Sequence, residues 1–141
     1  DNAVVVAGEF VSYDLDKKVY ATRIIRFDSD GLLDLDFVKR RARQGFRGSI
    51  ETLAVQPDGK VIVGCNDPFS RINGDGSMDK NFLRVAGSAV IGMIRALAVL
   101  PDGKILVGGE FEAYRGVLTG NIARLHADGT MDESFLTINF R

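Results

Sequence analysis

A chain of 141 residues with 18 Lys and Arg, 19 Asp and Glu, a net charge of -1 and 45% apolar residues has the makeup of one folded domain. Its one Cys and one His exclude an internal disulfide and fall short of a structural zinc set. The balanced charge argues against a dedicated nucleic-acid binder, and no apolar run has the length of a membrane span or the plan of a signal peptide, so the expectation is a soluble chain without membrane insertion.

The first predicted element is a strand at Val4-Val5-Val6-Ala7, running into Gly8-Glu9-Phe10, with Asp1-Asn2-Ala3 standing where a turn would precede it. The next block, Arg26 to Phe37, reads as a hairpin turning at Ser29-Asp30-Gly31. Between Phe37 and the strand residue Ile50 lie five cations: Lys39, Arg40, Arg41, Arg43 and Arg47. This run reads as a hydrated linker or a partner contact with acids of a neighbouring subunit, and a polyanion is the alternative partner. Beyond it, Leu53-Ala54-Val55 and Val61-Ile62-Val63 are β-rich runs joined by Gln56-Pro57-Asp58-Gly59-Lys60, in which Pro presets φ and Gly supplies the left-handed position. The Val-Ile-Val run suits a strand covered on both faces.

The rest of the chain repeats these blocks. Leu97-Ala98-Val99-Leu100-Pro101-Asp102-Gly103-Lys104 matches the segment from Leu53, and Ile105-Leu106-Val107-Gly108-Gly109-Glu110-Phe111 matches the strand from Val4 and, less closely, Val61 to Asp67. The hairpin block returns twice, so that Arg26, Arg71 and Arg124 stand eight positions before Asp34, Asp79 and Asp132, and Phe37, Phe82 and Phe135 close each copy. Length differences between copies fall between the blocks, as expected of surface loops. The reading is therefore three copies of one β unit, each with four short antiparallel strands in about 45 to 55 residues, the size of a propeller blade. The local chemistry is read as β throughout. The boundaries expected are 1–49 for a first blade lacking its opening strand, 50–93 for the second and 94–141 for the third.

The residues Leu-Ala-Val-Gln-Pro-Asp-Gly-Lys, Gly-Gly-Glu-Phe and Asn-Ile-Ala-Arg-Leu-x-Ala-Asp-Gly-x-x-Asp-x-Ser-Phe resemble the delta-60 repeat, a bacterial and viral β-propeller repeat. Copy two departs from that pattern at Cys65-Asn66-Asp67 and in its shortened loop. The resemblance implies a propeller fold in a non-enzymatic, surface-displayed or structural setting, extracellular, on a cell surface or in a virion.

Each candidate for chemistry has a structural reading beside it. The Arg and Asp of each copy suit a bidentate clasp within or between blades, with an anion-binding ring of Arg as the alternative. Asp28, Asp30, Asn73 and Asp75 imitate part of a calcium loop, but the first ligand position holds Arg and the twelfth holds Phe, so no metal is expected. Glu9-Phe10 and Glu110-Phe111 recur with the repeat, which points to architecture rather than to the paired carboxylates of glycoside hydrolysis. Cys65 and His126 occupy unlike places in different copies and make no dyad; Cys65 reads as a buried filler. No catalytic residue and no cofactor are expected.

Three blades do not close a ring, whose smallest form has about four. The strand expected after Phe135 is also missing. The partners expected are therefore further blades of the same chain or a second copy, with other structural proteins beyond them. The function read from this is a structural and interaction module of a larger bacterial surface or viral-particle protein. A ligand- or glycan-binding propeller, or a carbohydrate-active propeller enzyme, is the alternative.

Overall fold

A computed structural model describes residues 2–13, 19–46, 48–65 and 69–135. Arg47, Asn66 and Asp67 lie outside the described residues, as does the chain beyond Phe135.

The β-branched runs form three small antiparallel sheets. In the first, β1 (Val4–Tyr13) pairs with β2 (Val19–Phe27). In the second, β3 (Ile50–Val55), β4 (Val61–Cys65) and β5 (Ser70–Ile72) follow one another in order. The third is built on β6 (Val90–Val99) and β7 (Ile105–Tyr114), with β8 (Val117–Leu118) and β9 (Ile122–Leu125) both on β7. After β2, β5 and β9 the chain turns back and closes each sheet with a single bridge, Phe27 to Leu33, Ile72 to Met78 and Leu125 to Met131. The sheets stack as propeller-type blades but do not close on themselves.

The Pro-Asp-Gly turns work as their chemistry demands. Gly59 and Gly103 take φ of 81° and 83°, the left-handed region open to Gly, which lets Gln56 N–H reach the Lys60 carbonyl at 2.8 Å and Leu100 N–H reach that of Lys104 at 2.8 Å.

Strand β4 is buried at all five positions because it is the middle layer. Side chains alternate across a strand. Val61, Val63 and Cys65 therefore join Ile24, Phe37 and Ile72 in a core against the first sheet, while Ile62 joins Phe69, Phe82, Ile94 and Ile105 in a core against the third. Gly64 faces the third sheet too, where a Cβ would come within 2.9 Å of the Ile94 methyl and 2.5 Å of the Thr52 methyl.

The reading of every segment as β needs amending at two places. Leu35–Arg43 and Lys80–Ala86 are helices, α1 and α2. Asp34 and Asp79 start them: Asp34 Oδ1 accepts from Phe37 N–H at 3.0 Å, and Asp79 Oδ1 accepts from Asn81 N–H at 3.1 Å and Phe82 N–H at 3.2 Å. These bonds satisfy amides that a helix start otherwise leaves bare. Arg40, Arg41 and Arg43 fall in the last turn of α1, where cations complement the helix dipole. The basic run is thus largely helical and not a linker.

Candidate functional site

The repeated Arg, Asp and Phe meet at the joints between sheets. Arg71 Nε and Nη2 donate to Asp79 Oδ2 at 3.0 and 2.9 Å, and the guanidinium lies over the Phe82 ring, 4.7 Å from its centroid. Its Nη1 donates onward to the Ala127 carbonyl, in the hairpin turn of the third sheet, at 2.5 Å. Gln56 completes the group: its Oε1 accepts from Arg71 Nη1 at 3.1 Å and its Nε2 donates to the same Ala127 carbonyl at 3.3 Å.

The joint before it has the same plan. Arg26 Nη1 donates to the Gly74 carbonyl, which holds in the second sheet the place that Ala127 holds in the third. Arg26 stands 3.9 Å from Asp34, a looser pair than Arg71 with Asp79. Each joint also seats a Phe on a glycine of the following turn. A Cβ on Gly76 would lie 3.0 Å from the Phe37 ring, and one on Gly129 would lie 2.9 Å from the Phe82 ring. The φ of 87° and 90° at these glycines reserves them for Gly in any case.

In the third sheet Arg124 Nε donates to Asp132 Oδ2 at 2.8 Å, Nη2 donates to Ser134 Oγ at 3.2 Å, and the guanidinium lies 4.7 Å from the Phe135 ring centroid. Arg26 and Arg71 thus each reach across a joint, whereas the hydrogen bonds of Arg124 lie within its own sheet. Lysines of the Pro-Asp-Gly-Lys turns reinforce two of the carboxylates, Lys60 to Asp79 at 3.4 Å and Lys104 to Asp132 at 2.8 Å. Asp34 has no counterpart of these turn lysines, because Ala3 stands at the matching place.

These contacts set the acidities. Burial pushes the Asp79 carboxyl upward, but the Phe82 amide, Arg71 and Lys60 together outweigh it and hold the pKa below its ordinary value. Lys104 first, then Ser134 and Arg124, hold the Asp132 carboxyl well below the ordinary range against its burial. Asp28, Asp75 and Asp128 each use one carboxylate oxygen inside their own turn. Asp28 Oδ1 accepts from Asp30 and Leu32 N–H, Asp75 from the Ser77 amide and hydroxyl, and Asp128 from the Thr130 amide and hydroxyl.

The basic run divides. Arg40 pairs with Asp75 of the second sheet at 3.2 Å, and with Lys39 and Arg43 it borders a groove beside Asp36 and Gln44. Arg41 cannot serve as a partner contact: its residue is 1% exposed, occupying the place that Ala86 has in α2. Its Nη2 donates to the Gln44 carbonyl and its guanidinium lies 5.1 Å from the Phe46 ring centroid. Among the described residues its Nε and Nη1 find no hydrogen-bond partner, and burial lowers its pKa to about 10.

Glu110 is held by Arg95 Nε and Nη2 at 3.0 and 2.9 Å, and Arg95 Nη1 reaches Glu51 of the second sheet at 3.2 Å. The neighbouring Phe111 is buried. An open cleft of about 770 Å³ runs beside them, bordered by Ile91, Glu110, Phe111, Glu112, Arg115 and Asn121. The sequence offers Glu110 and Phe111 as candidates, but Arg115 and Asn121 lie in the stretch between the repeated blocks, where no residue recurs in all copies to mark them. Cys65 is buried in β4, whereas His126 is exposed in a hairpin turn of the third sheet.

A family model described as "Domain of unknown function (DUF5122) beta-propeller" matches residues 1–37 and 100–135, just over half of the chain. Both matched stretches lie outside the second copy, the one that departs most from the repeat pattern. No curated protein matches the chain.

Proposed function

Since the chain belongs to this β-propeller domain family, we propose that it works as a non-catalytic structural and interaction module, presenting loops on a rigid stack of blades. One observation carries this reading: the Arg and Asp that recur in every copy are engaged inside the frame, by one another and by neighbouring turns. Arg71 is engaged by Asp79, Gln56 and Ala127, and Asp132 by Lys104, Arg124 and Ser134. Such groups fasten the frame, while the segments that differ between copies are loops at its rim. In this reading the host is a larger bacterial surface or viral-particle protein, as the resemblance to the delta-60 repeat suggests. No helix among the described residues is long and apolar enough to cross a membrane.

The cleft beside Glu110 and Glu112 favours a second reading, a ligand- or glycan-binding propeller, because two carboxylates at the border of an open cleft can accept hydrogen bonds from sugar hydroxyls. One experiment separates the readings. The chain is screened against arrayed glycans and against a panel of aryl glycosides, alongside Glu110→Gln and Glu112→Gln. The module reading expects neither binding nor turnover to depend on these two acids. Saturable glycan binding lost in either variant establishes the second reading, and turnover lost in either variant establishes an enzyme.

A further inference from the structure

Matching faces of α1 and α2 differ in charge. Asp36, Lys39, Arg40, Arg43 and Gln44 stand three and four positions apart along α1 and its C-cap, the spacing of one helical face, and border an open groove of about 570 Å³. Phe37, Val38 and Arg41 are buried on the other side of the helix. With Phe37 set against Phe82, the residues that match Lys39, Arg40, Arg43 and Gln44 are Arg84, Val85, Ser88 and Ala89, and they border a groove as well. The groove therefore belongs to the fold, but its charge does not: the first copy sets three cations along it where the second sets one.

The chain itself walls the α2 groove. Arg115, in the loop of the third sheet, donates its backbone N–H to the Ala89 carbonyl at 2.7 Å and its Nη1 to the Val85 carbonyl, and so borders that groove. The second sheet has no residue to do the same for α1, because the nine residues from Glu112 to Gly120 have no counterpart between Cys65 and Phe69. Every described residue that borders the α1 groove comes from α1 and its C-cap. Arg43 is exposed there, and among the described residues no ion pair engages it.

We propose that the α1 groove docks an acidic segment of a partner protein, whose carboxylates pair with Lys39, Arg40 and Arg43. The chain supplies the precedent: Asp75, on a turn of the second sheet, sets its carboxylate 3.2 Å from Arg40 Nη1, and the Arg40 side chain still keeps 48% of its surface exposed. A guanidinium fork takes carboxylates on two nitrogens at once. Three observations favour a peptide over a nucleic acid. No aromatic among the described residues borders the groove to stack a base, and a net charge of -1 gives the chain no general pull on phosphates. Asp36 also ends the row of cations; a peptide passes it with an uncharged residue, whereas a nucleic acid carries a phosphate at every position. The proposal names a partner chemistry for the module reading above and rests on it, and that reading survives its failure because the rim loops remain for other partners.

The test is the fluorescence anisotropy of a labelled oligoglutamate titrated with the chain at low and at high salt, beside a labelled oligothymidylate of equal charge. Arg43→Glu and Arg84→Glu make the same change of charge on matching, exposed helix faces. Expected are saturable oligoglutamate binding that salt weakens, binding about tenfold weaker in Arg43→Glu, and natural affinity in Arg84→Glu. Far-ultraviolet circular dichroism checks that both variants fold; where either does not, Gln at the same position takes its place, with binding expected to fall about threefold at Arg43 and to hold at Arg84. The absence of oligoglutamate binding at low salt overturns the proposal. So does equal weakening by the two variants, or oligothymidylate binding as tight as that of oligoglutamate, which makes the groove a nucleic-acid site. None of these outcomes involves Glu110 or Glu112, on which the module reading is tested.

Discussion

Arg71 and Asp79 share a carboxylate oxygen twice over: Nε and Nη2 of the one both donate to Oδ2 of the other, and each side chain keeps only 10% of its surface in water. The carboxylate's second oxygen starts α2, so one aspartate fixes a helix, an arginine and, through that arginine, the following sheet. Removing one member of such a pair strands the other, which is why the loss exceeds what the pair adds. Arg71→Ala is expected to lower unfolding free energy by about 3 kcal/mol, the scale for breaking a buried pair. The longer and wetter Arg26 to Asp34 pair sets a lower scale, and Arg26→Ala is expected to cost about 1 kcal/mol. Urea melts of the two variants side by side check the order.

Acid should loosen the stack. Asp79 and Asp132 ionise below the ordinary 3.8 when folded, so near that pH the unfolded chain binds more protons than the folded one. The stabilisation is therefore complete above about pH 5 and is lost as pH falls through the folded values. Asp75 and Asp128, lowered by Ser77 and Thr130, add in the same direction. Urea midpoints taken from neutral pH down to the acid limit should fall steeply only at the acid end. Asp132→Asn should make that fall shallower while lowering the plateau.

Glycines that share one backbone conformation should differ in cost. Gly31 and Gly129 both have positive φ, so Ala at either is strained by about 1 to 2 kcal/mol. At Gly129 the added Cβ also meets Phe82 at 2.9 Å and Ala86 at 3.1 Å, whereas at Gly31 it meets nothing. Gly129→Ala is expected to cost about 1 to 3 kcal/mol more than Gly31→Ala, the scale of overpacking.

Arg41 predicts a change of the opposite sign. Its charge is buried with two nitrogens unpartnered among the described residues, and it stands where α2 has Ala86. Replacing a poorly compensated buried charge with an apolar side chain of similar length removes the desolvation cost and keeps the packing. Arg41→Met is expected to raise stability by about 1 kcal/mol, read as a higher urea midpoint with unchanged slope.

Much of this frame was legible in the residues. Turns announce themselves through Pro-Asp-Gly, and the eight-position spacing of Arg and Asp across a turn brings the two side chains within bonding reach. The helices are harder to read because the five cations after Asp34 dominate that segment, and because Asp34 and Asp79 serve the clasp as well as the helix start. A carboxylate has two oxygens, and here each takes a different role. The forward reach of Arg71 to Ala127 is equally hard to read from sequence. Its signal is a small residue at Ser29, Gly74 and Ala127, three positions after each Arg, which looked like ordinary turn composition. The burial of Arg41 left no such trace, since only its register on the helix separates it from the exposed Arg40 and Arg43.

The one-way pattern of the joints bears on how such a chain can lengthen or shorten. Each joint takes an Arg and a Phe from one unit and a turn from its successor, so duplicating or deleting a whole unit produces a neighbour pair of the kind already in place. A cut between an Arg and the Asp eight positions on separates the Arg from the carboxylate that orients it. Length can therefore vary by whole repeats, or in the loops between blocks, without disturbing a joint.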